Sequence, residues 1–535
     1  MSPFPRIVTF GSGTGSPVPP EEFGNKAAGL AEIDGLGIRV PPGFALGVSI
    51  CEEYYVLGRT LPPDVPDLIR QGIRHLEEVT NLGFGSMRRP LLVSVRSGAP
   101  VSMPGIMDTI LNVGLNRQTV RGLIFMTGNP RFAWDSYRRF LENFSEIILG
   151  QDPGLHRAIL REAMTSEEVR DETELDSGTL RRIVGEYEKK LAGTGSGVPD
   201  DAYAQLEMAS SAVLRSWTNP KAEAFKKTHA LSGVRGTGVT VQAMVFGNLG
   251  QNSGAGVAFT RNPWTGENEL LIDFKFGAQG EDVVSGINEA SSQKAFREEM
   301  PGVYRCLKET AIRLESHFRD MQDIEFTAEN GKLYILQSRS GKRAPLAALR
   351  IAVELCREGV IQPEAALALL KGLDPGSIVE ERVDSPDFPI ARGLSASGGV
   401  ASGTIALSSK RAEEDAREGP VILIRETASP DDIPGISAAA GILTARGART
   451  SHAAVVAREL GKVCIVNCPD LVIDQPHHRI HLGGQDLFEG QPVTLDGNTG
   501  FVFLGKVAAR SEKPLDLLLA LQGFRVAVKK AQSRK

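Results

Sequence analysis

The chain has 535 residues, which is too long for a single hydrophobic core and predicts about three domains. Hydrophobic residues make up 41% and charged residues 23%, which is the composition of an ordinary globular protein. The formal net charge of −5 provides no basic footprint and argues against nucleic-acid binding, so any anion site must be local.

The N-terminus shows no basic region followed by an apolar run, and no segment approaches the ~18 apolar residues of a membrane span. We therefore expect a cytoplasmic protein with no signal peptide and no membrane segment. The cysteines are scattered, and Cys464 and Cys468 lack partners at zinc-ligand spacing. Reduced structural thiols are favoured over a metal site, for which His477, His478 and His481 make only a weak case.

The first half of the chain changes pattern twice. Its N-terminal part mixes strands with glycine-rich turns, and its clearest strand is LLVSV (91–95), which ends at Arg96. Residues 117–230 have the pattern of amphipathic helices without strands, and strand patterns return from 238 to 339. A helical block between two β-rich segments predicts one discontinuous α+β domain over residues 1–345, with a helical subdomain at about 117–230.

The second half begins with two apolar helical segments and a Pro/Asp-rich linker, together spanning residues 346–392. A compact β/α pattern covers residues 393–507, with VILI, GILTA and VCIV as buried strands and SHAAVVAREL as a helix. Residues 508–535 form a tail with one apolar helical stretch and a basic end. No internal repeat is evident.

One histidine stands where a strand gives way to a helix. GILTA leads to a helix whose N-cap is Thr450 or Ser451, because either hydroxyl can accept the first free amides. His452 then falls in the first turn, where the helix dipole disfavours imidazolium and favours an anion on the ring. A phosphoryl acceptor needs both effects, since neutral imidazole is the nucleophile and the product is anionic. The alternative for an isolated Ser-His at a helix start is an ordinary polar residue of the cap.

A hairpin is predicted over residues 322–343, turning near Asn330-Gly331. A turn of those two residues alone would place Glu325 and Gln337 on opposite faces. A three-residue turn that includes Glu329 instead gathers four polar side chains on one face and leaves an apolar face opposite. We expect the longer turn. The four polar residues are Asp323, Glu325, Gln337 and Arg339.

The segment GARTSHAAVVARELGK (447–462) is similar to GGMTSHAAVVAR, the string around the phosphorylated histidine of the pyruvate, phosphate dikinase family. The chain departs from it at Ala448, which replaces a glycine, and at Arg449, which replaces methionine. The resemblance implies that His452 is the phosphoryl carrier. It also matches Thr450 to a threonine that plant members use for regulatory phosphorylation. The glycine-rich run SASGGVASG resembles the opening of the family's swivelling domain.

Other segments resemble the ATP-grasp domain of the same family, among them SVRSGAPVSMPGIMDTILNVGLN, FGNKAAGLAEI, VQAMVFGN, GVAFTRNPWTGE and AQGEDVVSG. Asn25 and Ala27 replace two glycines of the family, which should stiffen that loop. The resemblance implies Glu325 and Gln337 as Mg²⁺ ligands, and oxygen ligands suit that hard cation. It implies a nucleotide- or phosphate-binding role for Lys26, Arg96, Ser102, Gly105, Gln242, Met244, Glu281, Asp323 and Arg339.

These matches span about residues 5–505. The resemblance implies a multidomain protein of α+β and α/β class, in which an ATP-grasp domain with a helical insertion is followed by a swivelling β/α phosphohistidine domain. Phosphoenolpyruvate synthase shares both domains, but its histidine motif carries Cys where Ser451 stands. The implied reaction passes the β,γ-diphosphoryl unit of ATP to His452 and releases AMP. Phosphate then removes the γ-phosphoryl group as pyrophosphate.

The family continues into a large barrel that binds pyruvate and phosphoenolpyruvate, for which the roughly thirty residues after the phosphohistidine domain are too few. We therefore expect the chain not to make phosphoenolpyruvate alone. The expected partners are ATP, phosphate and either a separate barrel protein or another phosphoryl acceptor, and a homo-oligomer stays open. A non-catalytic, ATP-binding regulatory subunit and a phosphotransferase with a different acceptor are the two alternatives.

Overall fold

The computed structural model describes residues 5–533 except 14, 16, 101–108, 170, 194–196, 229–232, 281–292, 386 and 450; for residues 228, 430, 452, 459 and 532 it describes the backbone alone. The chain divides into two units. Unit 1 holds residues 1–249 and 334–337, and unit 2 holds residues 250–333 and 338–535. Among the described helices, none is both long enough and apolar enough to cross a lipid bilayer.

An antiparallel sheet of five strands, in the order β1-β2-β7-β5-β6, forms the centre of unit 1. Its middle strand β7 is buried at all six positions, which explains the near-continuous apolar pattern VTVQA. A short parallel pair, β3 with β4, also belongs to this unit. The strands are β1 (Ile7–Phe10), β2 (Gly43–Leu46), β3 (Gly83–Phe84), β4 (Pro90–Leu91), β5 (Val93–Gly98), β6 (Thr109–Val113) and β7 (Gly238–Ala243).

Helices occupy the chain between β6 and β7, where the sequence predicts a helical block. Its longest member, Pro130–Ile147, starts at Asn129, whose side chain accepts a hydrogen bond from the Phe132 amide at 3.0 Å. Phe132, Phe140 and Phe144 lie on one face of this helix and are buried in the core. The α-helices of unit 1 are Pro20–Phe23, Asn25–Gly35, Val48–Val56, Val65–Thr80, Thr119–Thr127, Pro130–Ile147, Pro153–Ser166, Ser177–Gly193, Ala202–Ser216 and Pro220–Thr228, with a 3₁₀ turn at Glu172–Glu174.

The first sheet of unit 2 has the order β11-β10-β8-β9. Its strands are β8 (Gly254–Phe259), β9 (Leu271–Phe276), β10 (Gln322–Glu329) and β11 (Lys332–Ser340), of which residues 334–337 belong to unit 1. β8 lies between β10 and β9 and pairs antiparallel with both. The helices Gln293–Glu299 and Pro301–Phe318 follow β9 in the chain.

The hairpin between β10 and β11 differs from the prediction. Its turn contains only Asn330 and Gly331, with φ of +48° and +75°, so the expected three-residue turn is wrong. Asn-Gly is the preferred pair for a two-residue turn with two positive φ angles, because its backbone twist matches that of the strands. Yet Arg339 donates a hydrogen bond to Asp323, a pair that this turn alone would place on opposite faces. The simple two-residue register therefore does not extend along the whole hairpin.

A mixed sheet of eight strands forms the second part of unit 2, in the order β13-β23-β22-β15-β16-β17-β18-β14. β15, β16, β17 and β18 run parallel to one another, and the strands on either side of this group pair antiparallel. The strands are β13 (Ala391–Arg392), β14 (Leu394–Ser397), β15 (Val400–Ala406), β16 (Val421–Arg425), β17 (Gly441–Thr444), β18 (Val463–Val466), β22 (Pro492–Asp496) and β23 (Phe501–Leu504). The helices Ser409–Asp415, Ile433–Ala438 and His452–Glu459 belong to this part, with a 3₁₀ turn at Pro430–Asp432.

A small antiparallel sheet that the sequence did not predict lies between β18 and β22 in the chain. Its strands are β19 (Leu471–Asp474), β20 (Arg479–Leu482) and β21 (Gln485–Phe488), with a 3₁₀ turn at Gln475–His477. The three histidines considered for a metal lie here, and each pairs with a carboxylate: His477 with Asp474, His478 with Glu489 and His481 with Asp486. They face separate acids.

The predicted linker and tail contact each other. β12 (Glu380–Val383), within the linker, pairs antiparallel with β24 (Ala509–Glu512), within the tail. The Asp384 amide also donates to the Ala508 carbonyl at 2.9 Å. The terminal helix Leu515–Gln532 buries Leu517 and Leu521 in the core formed by the helices Pro345–Arg357 and Pro363–Leu369. A 3₁₀ turn at Pro375–Ser377 follows these helices.

Candidate active site

The predicted phosphate-binding lysine, Lys26, lies in the first turn of the helix Asn25–Gly35 in unit 1 and is half-buried. The start of this helix is fixed to the end of β5. The Asn25 amide donates to the Ala99 carbonyl at 3.2 Å, and the Asn25 side chain donates to Pro100 at 2.6 Å. Gly24, with φ of +84°, lies in direct contact with Gly98. The lysine segment and the segment after Arg96 are therefore held side by side.

Arg96 lies inside β5 rather than at its end, because the strand continues to Gly98. It pairs with Thr240 on β7, and Ser94 pairs with Gln242, so Arg96 and Gln242 share one face of the sheet. The Gln242 side chain is buried and donates to the Pro41 carbonyl at 3.0 Å. This bond fixes the amide group of Gln242 within the protein.

Met244 follows β7 directly, and its backbone amide donates to the Leu92 carbonyl at 2.9 Å. That amide is therefore already used by the protein. Four other predicted residues lie outside the described part of the chain: Ser102, Gly105, Glu281 and Thr450.

Three carboxylates lie on one side of the first sheet of unit 2, and we call this side the acidic face. They belong to Asp323 and Glu325 of β10 and to Asp273 of β9. Glu325 and Asp273 both pair with Val257 on β8, one from each side, and Asp323 pairs with Phe259. Paired residues lie on the same side of a sheet, and neighbouring strands are about 4.8 Å apart. Asp273 and Asp323 are both buried.

Asp323 is the most constrained of these acids. Its Oδ2 atom accepts a hydrogen bond from Arg339 Nε at 2.9 Å, whereas its buried Oδ1 atom has no partner among the described residues. Burial raises the pKa of Asp323, and the nearby Glu325 adds to this, while the charge of Arg339 acts in the opposite direction. Burial alone would lower the pKa of Arg339, but the attraction of Asp323 and Glu325 raises it overall. The attraction of Arg339 therefore offsets only part of the free energy that burial costs the charged Asp323 carboxylate.

His452 is the first residue of the helix that follows β17, and its side chain lies outside the described part of the structure. Ser451 is the N-cap, as predicted for this residue or its neighbour, and its hydroxyl accepts from the Ala454 amide at 3.4 Å. Ala453, Ala454 and Ala457 are buried where the helix packs against the eight-stranded sheet. Small side chains let the helix lie close to the strands, which fixes the direction of its N-terminus.

Two arginines connect this helix start to the acidic face within unit 2. Arg449 Nη1 lies 3.1 Å from Asp273 Oδ1. The Arg458 guanidinium lies 5.5 Å from the centre of the Phe259 ring, and its Nη2 atom donates to the Arg449 carbonyl at 2.7 Å. Burial lowers the pKa of Arg458, although Asp323 and Asp273 attract its charge. Through these two arginines, the segment of the His452 helix contacts β9 and β8, which belong to the same sheet as β10, the strand that carries Asp323 and Glu325.

The donors of the acidic face fit a hard cation such as Mg²⁺. They are carboxylate oxygens, and two of them, Asp323 Oδ1 and Asp273 Oδ2, are buried without a hydrogen-bond partner among the described residues. Within that part of the chain, no three His, Cys, Asp or Glu side chains are grouped to hold a metal by themselves. A Mg²⁺ that arrives with a nucleotide takes most of its ligands from phosphate and water. Of the predicted pair, Glu325 belongs to unit 2 and Gln337 to unit 1.

The sequence did not single out Asp273 or Arg458. Asp273 interrupts the apolar strand pattern of ELLIDFKF, which is a signal that a buried acid has a partner. Arg458 was visible only as part of the histidine string. Its contact with Phe259 joins residues far apart in the chain, which local patterns do not reveal.

Comparison with known families gives two matches. Residues 55–305 and 292–358 match the model of the pyruvate phosphate dikinase AMP/ATP-binding domain. Residues 417–500 match the mobile domain of PEP-utilising enzymes. The first match covers more than half of the chain, and the second contains the His452 helix.

Curated relatives extend these matches over nearly the whole chain. The chain is 42% identical over 509 residues to pyruvate, phosphate dikinase 2 of Zea mays, covering 94% of this chain and 58% of the relative. It is 42% identical over 523 residues to pyruvate, phosphate dikinase of Rhizobium meliloti (strain 1021), with the same coverage. The corresponding enzyme of Clostridium symbiosum is 42% identical over 493 residues, covering 91% of this chain and 56% of the relative. The chain thus spans somewhat more than half the length of these relatives.

Proposed function

The chain belongs to the pyruvate, phosphate dikinase family, and on this premise we propose that it phosphorylates His452 with Mg²⁺ and ATP. The observation that carries the proposal is the position of His452 at the start of a helix whose N-terminal segment contacts the acidic face through Arg449. A helix start provides partial positive charge for a phosphoryl group and keeps the imidazole neutral. The strands of the acidic face carry the residues expected to bind the triphosphate.

In the proposed reaction, a His452 ring nitrogen attacks the β-phosphorus of ATP, the bond between the α- and β-phosphates breaks, and AMP leaves. An oxygen of inorganic phosphate then attacks the γ-phosphorus, and the bond between the β- and γ-phosphates breaks. Pyrophosphate departs, and His452 keeps one phosphoryl group. Both steps are phosphoryl transfers, for which positioning and charge neutralisation supply most of the catalysis.

The nucleotide-binding domain is proposed to have the ATP-grasp fold. Lys26, Arg96 and Arg339 neutralise triphosphate charge, and Asp323 orients Arg339 through the 2.9 Å hydrogen bond. Gln242 and Met244 contact the adenine; since the Met244 amide is already bonded to Leu92, the contact falls to other backbone atoms. Ser102, Gly105 and Glu281 complete the phosphate and ribose contacts by family position.

Glu325 and Gln337 are the proposed protein ligands of Mg²⁺, which would supply positive charge to offset that of the triphosphate. Asp323 lies two residues before Glu325 on the same face of β10 and keeps a buried oxygen that has no hydrogen bond among the described residues. The carrier domain is proposed to swivel between the site of ATP and a second site. Pyruvate is the proposed final acceptor, because it is named in the relatives. Thr450 is a proposed regulatory position.

Labelled ATP tests the proposal directly. Protein incubated with Mg²⁺ and ATP labelled on the β-phosphorus should retain acid-labile label and release AMP. Label on the γ-phosphorus should be retained without phosphate and should leave as pyrophosphate when phosphate is added. A simple γ-phosphoryl kinase would give ADP and would never retain the β-label.

His452→Ala should abolish retention of both labels. The matched control is His477→Ala, which removes an exposed histidine of the same unit that pairs with Asp474. Equal retention by the wild type and by His452→Ala would exclude the proposed carrier. Adding pyruvate, with and without a separately encoded barrel protein from the same source, then identifies whether the phosphoryl group is passed on to pyruvate and by which polypeptide.

A further inference from the structure

The contact between the helix region of His452 and the acidic face includes one charge pair that the family string does not contain. Arg449 stands where that string has methionine, and its guanidinium pairs with Asp273 of β9. The two residues are 176 positions apart. They therefore connect the segment that carries His452 to the sheet that carries Asp323 and Glu325.

Both partners of this pair are shielded from water. The side chain of Asp273 is 4% exposed and that of Arg449 is 17% exposed. Exposed ion pairs contribute little because water and salt screen them, whereas a shielded charge is costly once its partner is removed. Arg449 matters more for Asp273 because the second carboxylate oxygen, Oδ2, is buried and has no hydrogen bond among the described residues.

Arg449 is also fixed on its own side. Its Nε atom donates to the Ser395 carbonyl of β14 at 3.1 Å, and its backbone carbonyl accepts from Arg458. The Arg449 guanidinium thus bonds to the eight-stranded sheet, through Ser395, and to the acidic face, through Asp273, at the same time. Arg449 precedes the Ser451 cap by two residues, so these bonds hold the chain just before the first turn of the helix.

We propose that Arg449 is a positioning residue, which docks the His452-bearing domain on β9 through Asp273 and so sets the alignment of His452 with the bound nucleotide. This inference rests on the proposed function for its effect on the reaction, but the docking contact itself does not. Arg449 acts through Asp273 and the helix start, and it does not contact the reacting atoms.

The test uses the full-length chain and four variants: Arg449→Met, Asp273→Asn, the double variant, and Arg411→Met as a matched control. Arg411 forms an exposed pair with Asp415 in the same part of unit 2. At saturating ATP, each single change at the docking pair should slow single-turnover phosphorylation of His452 about tenfold, which corresponds to ~1.4 kcal/mol. The dissociation constant of ATP should change less than about twofold, since uniform binding is untouched.

The double variant should be no slower than the slower single variant, because the interaction is already lost in each. Hydrogen–deuterium exchange supplies a readout that needs no activity. Amides of Leu271–Phe276 and of the helix His452–Glu459 should exchange faster in Arg449→Met and Asp273→Asn, and at the wild-type rate in Arg411→Met.

Three results would overturn the docking role. Wild-type rates and wild-type exchange in Arg449→Met would do so, as would effects of the two single changes that add up in the double variant. A higher Mg²⁺ requirement in Asp273→Asn alone, with Arg449→Met normal, would assign Asp273 to the metal instead. If the wild type itself retains no label, the proposed function fails, and the exchange measurement still decides whether Arg449 docks the domain.

Discussion

Gly24 lies so close to Gly98 that a Cβ carbon on Gly24 would stand 1.8 Å from the Gly98 carbonyl oxygen. This contact joins the helix start that carries Lys26 to the end of the strand that carries Arg96. The glycine is required twice over, because Gly24 also has a φ of +84°. The relative position of Lys26 and Arg96 therefore depends on a glycine at position 24, because any residue with a Cβ atom would push the two segments apart.

Gly24→Ala should lower the free energy of unfolding of unit 1 by about 3 kcal/mol, through a backbone clash together with the positive φ. It should also weaken ATP binding more than tenfold. Gly37→Ala is the matched control, because Gly37 has a φ of +69° but nothing within 4 Å of its Cβ position. The control should cost about 1 kcal/mol. Equal losses in urea unfolding for the two variants would contradict the close approach.

Removing the partner of Asp323 should destabilise unit 2. Arg339→Met leaves a buried carboxylate without its hydrogen-bond donor, and we expect a loss of about 2 kcal/mol at pH 7, discounted because the Arg339 side chain is 42% exposed. Arg382→Met is the control, since Arg382 is 71% exposed in its pair with Glu380, and it should change the stability by less than about 0.5 kcal/mol. Urea unfolding of both variants is the measurement, and similar losses would refute the prediction.

The titration of Asp323 should contribute to the pH dependence of the free energy of unfolding. Burial raises the pKa of this carboxyl above its ordinary value of 3.8. Between pH 3.8 and the raised pKa, the folded state therefore holds a proton that the unfolded state has released. The stabilising contribution of that proton is complete below pH 3.8 and is lost as the pH rises through the raised pKa. Asp323→Asn lacks this loss. The stability of the variant minus that of the wild type should therefore increase as the pH rises from 3.8 through the raised pKa and level off above it, and a decrease over that range would contradict the prediction.

The turn between β10 and β11 should be sensitive to the loss of Gly331. Gly331→Ala places a Cβ on a residue with φ of +75°, which should cost about 1 kcal/mol even though its surroundings are open. Gly302→Ala is the control: Gly302 lies in the first turn of the helix Pro301–Phe318 and also has open surroundings. Alanine there should be neutral or stabilising by up to about 1 kcal/mol. Amide exchange in β10 and β11 reports the first change, and exchange in the helix reports the second.

Local patterns predicted most elements of the fold. Strand VCIV was placed at its observed position Val463–Val466, and the helix Pro130–Ile147 lies within the stretch 117–230 that was predicted to be helical. These segments carry their own signals, namely β-branched runs for buried strands and apolar residues at helical spacing beside an Asn cap. Asn330-Gly331 was recognised as the turn, but its length was inferred from which side chains should share a face. The structure keeps the short turn and brings Asp323 and Arg339 together nevertheless.

Long-range pairs were beyond local patterns. Nothing near Arg449 indicates Asp273, and nothing in the Pro/Asp-rich linker indicates that Glu380–Val383 pairs with Ala509–Glu512. Both depend on where the intervening chain folds. The segment 101–108, which contains Ser102 and Gly105, lies outside the described residues, so its predicted phosphate contacts stay predictions.

The pairing of β12 with β24 brings the entry and the exit of the phosphohistidine region to one place, where Asp384 bonds to Ala508. In topological terms, residues 385–507 are an insert whose two ends meet on a two-stranded stem. Modules of this kind can be excised or exchanged with little disturbance of the host, because the gap to be rejoined is short. In the proposed swivelling, such a stem would hold the module at a fixed distance from the host while it rotates, which a single unpaired linker would not do.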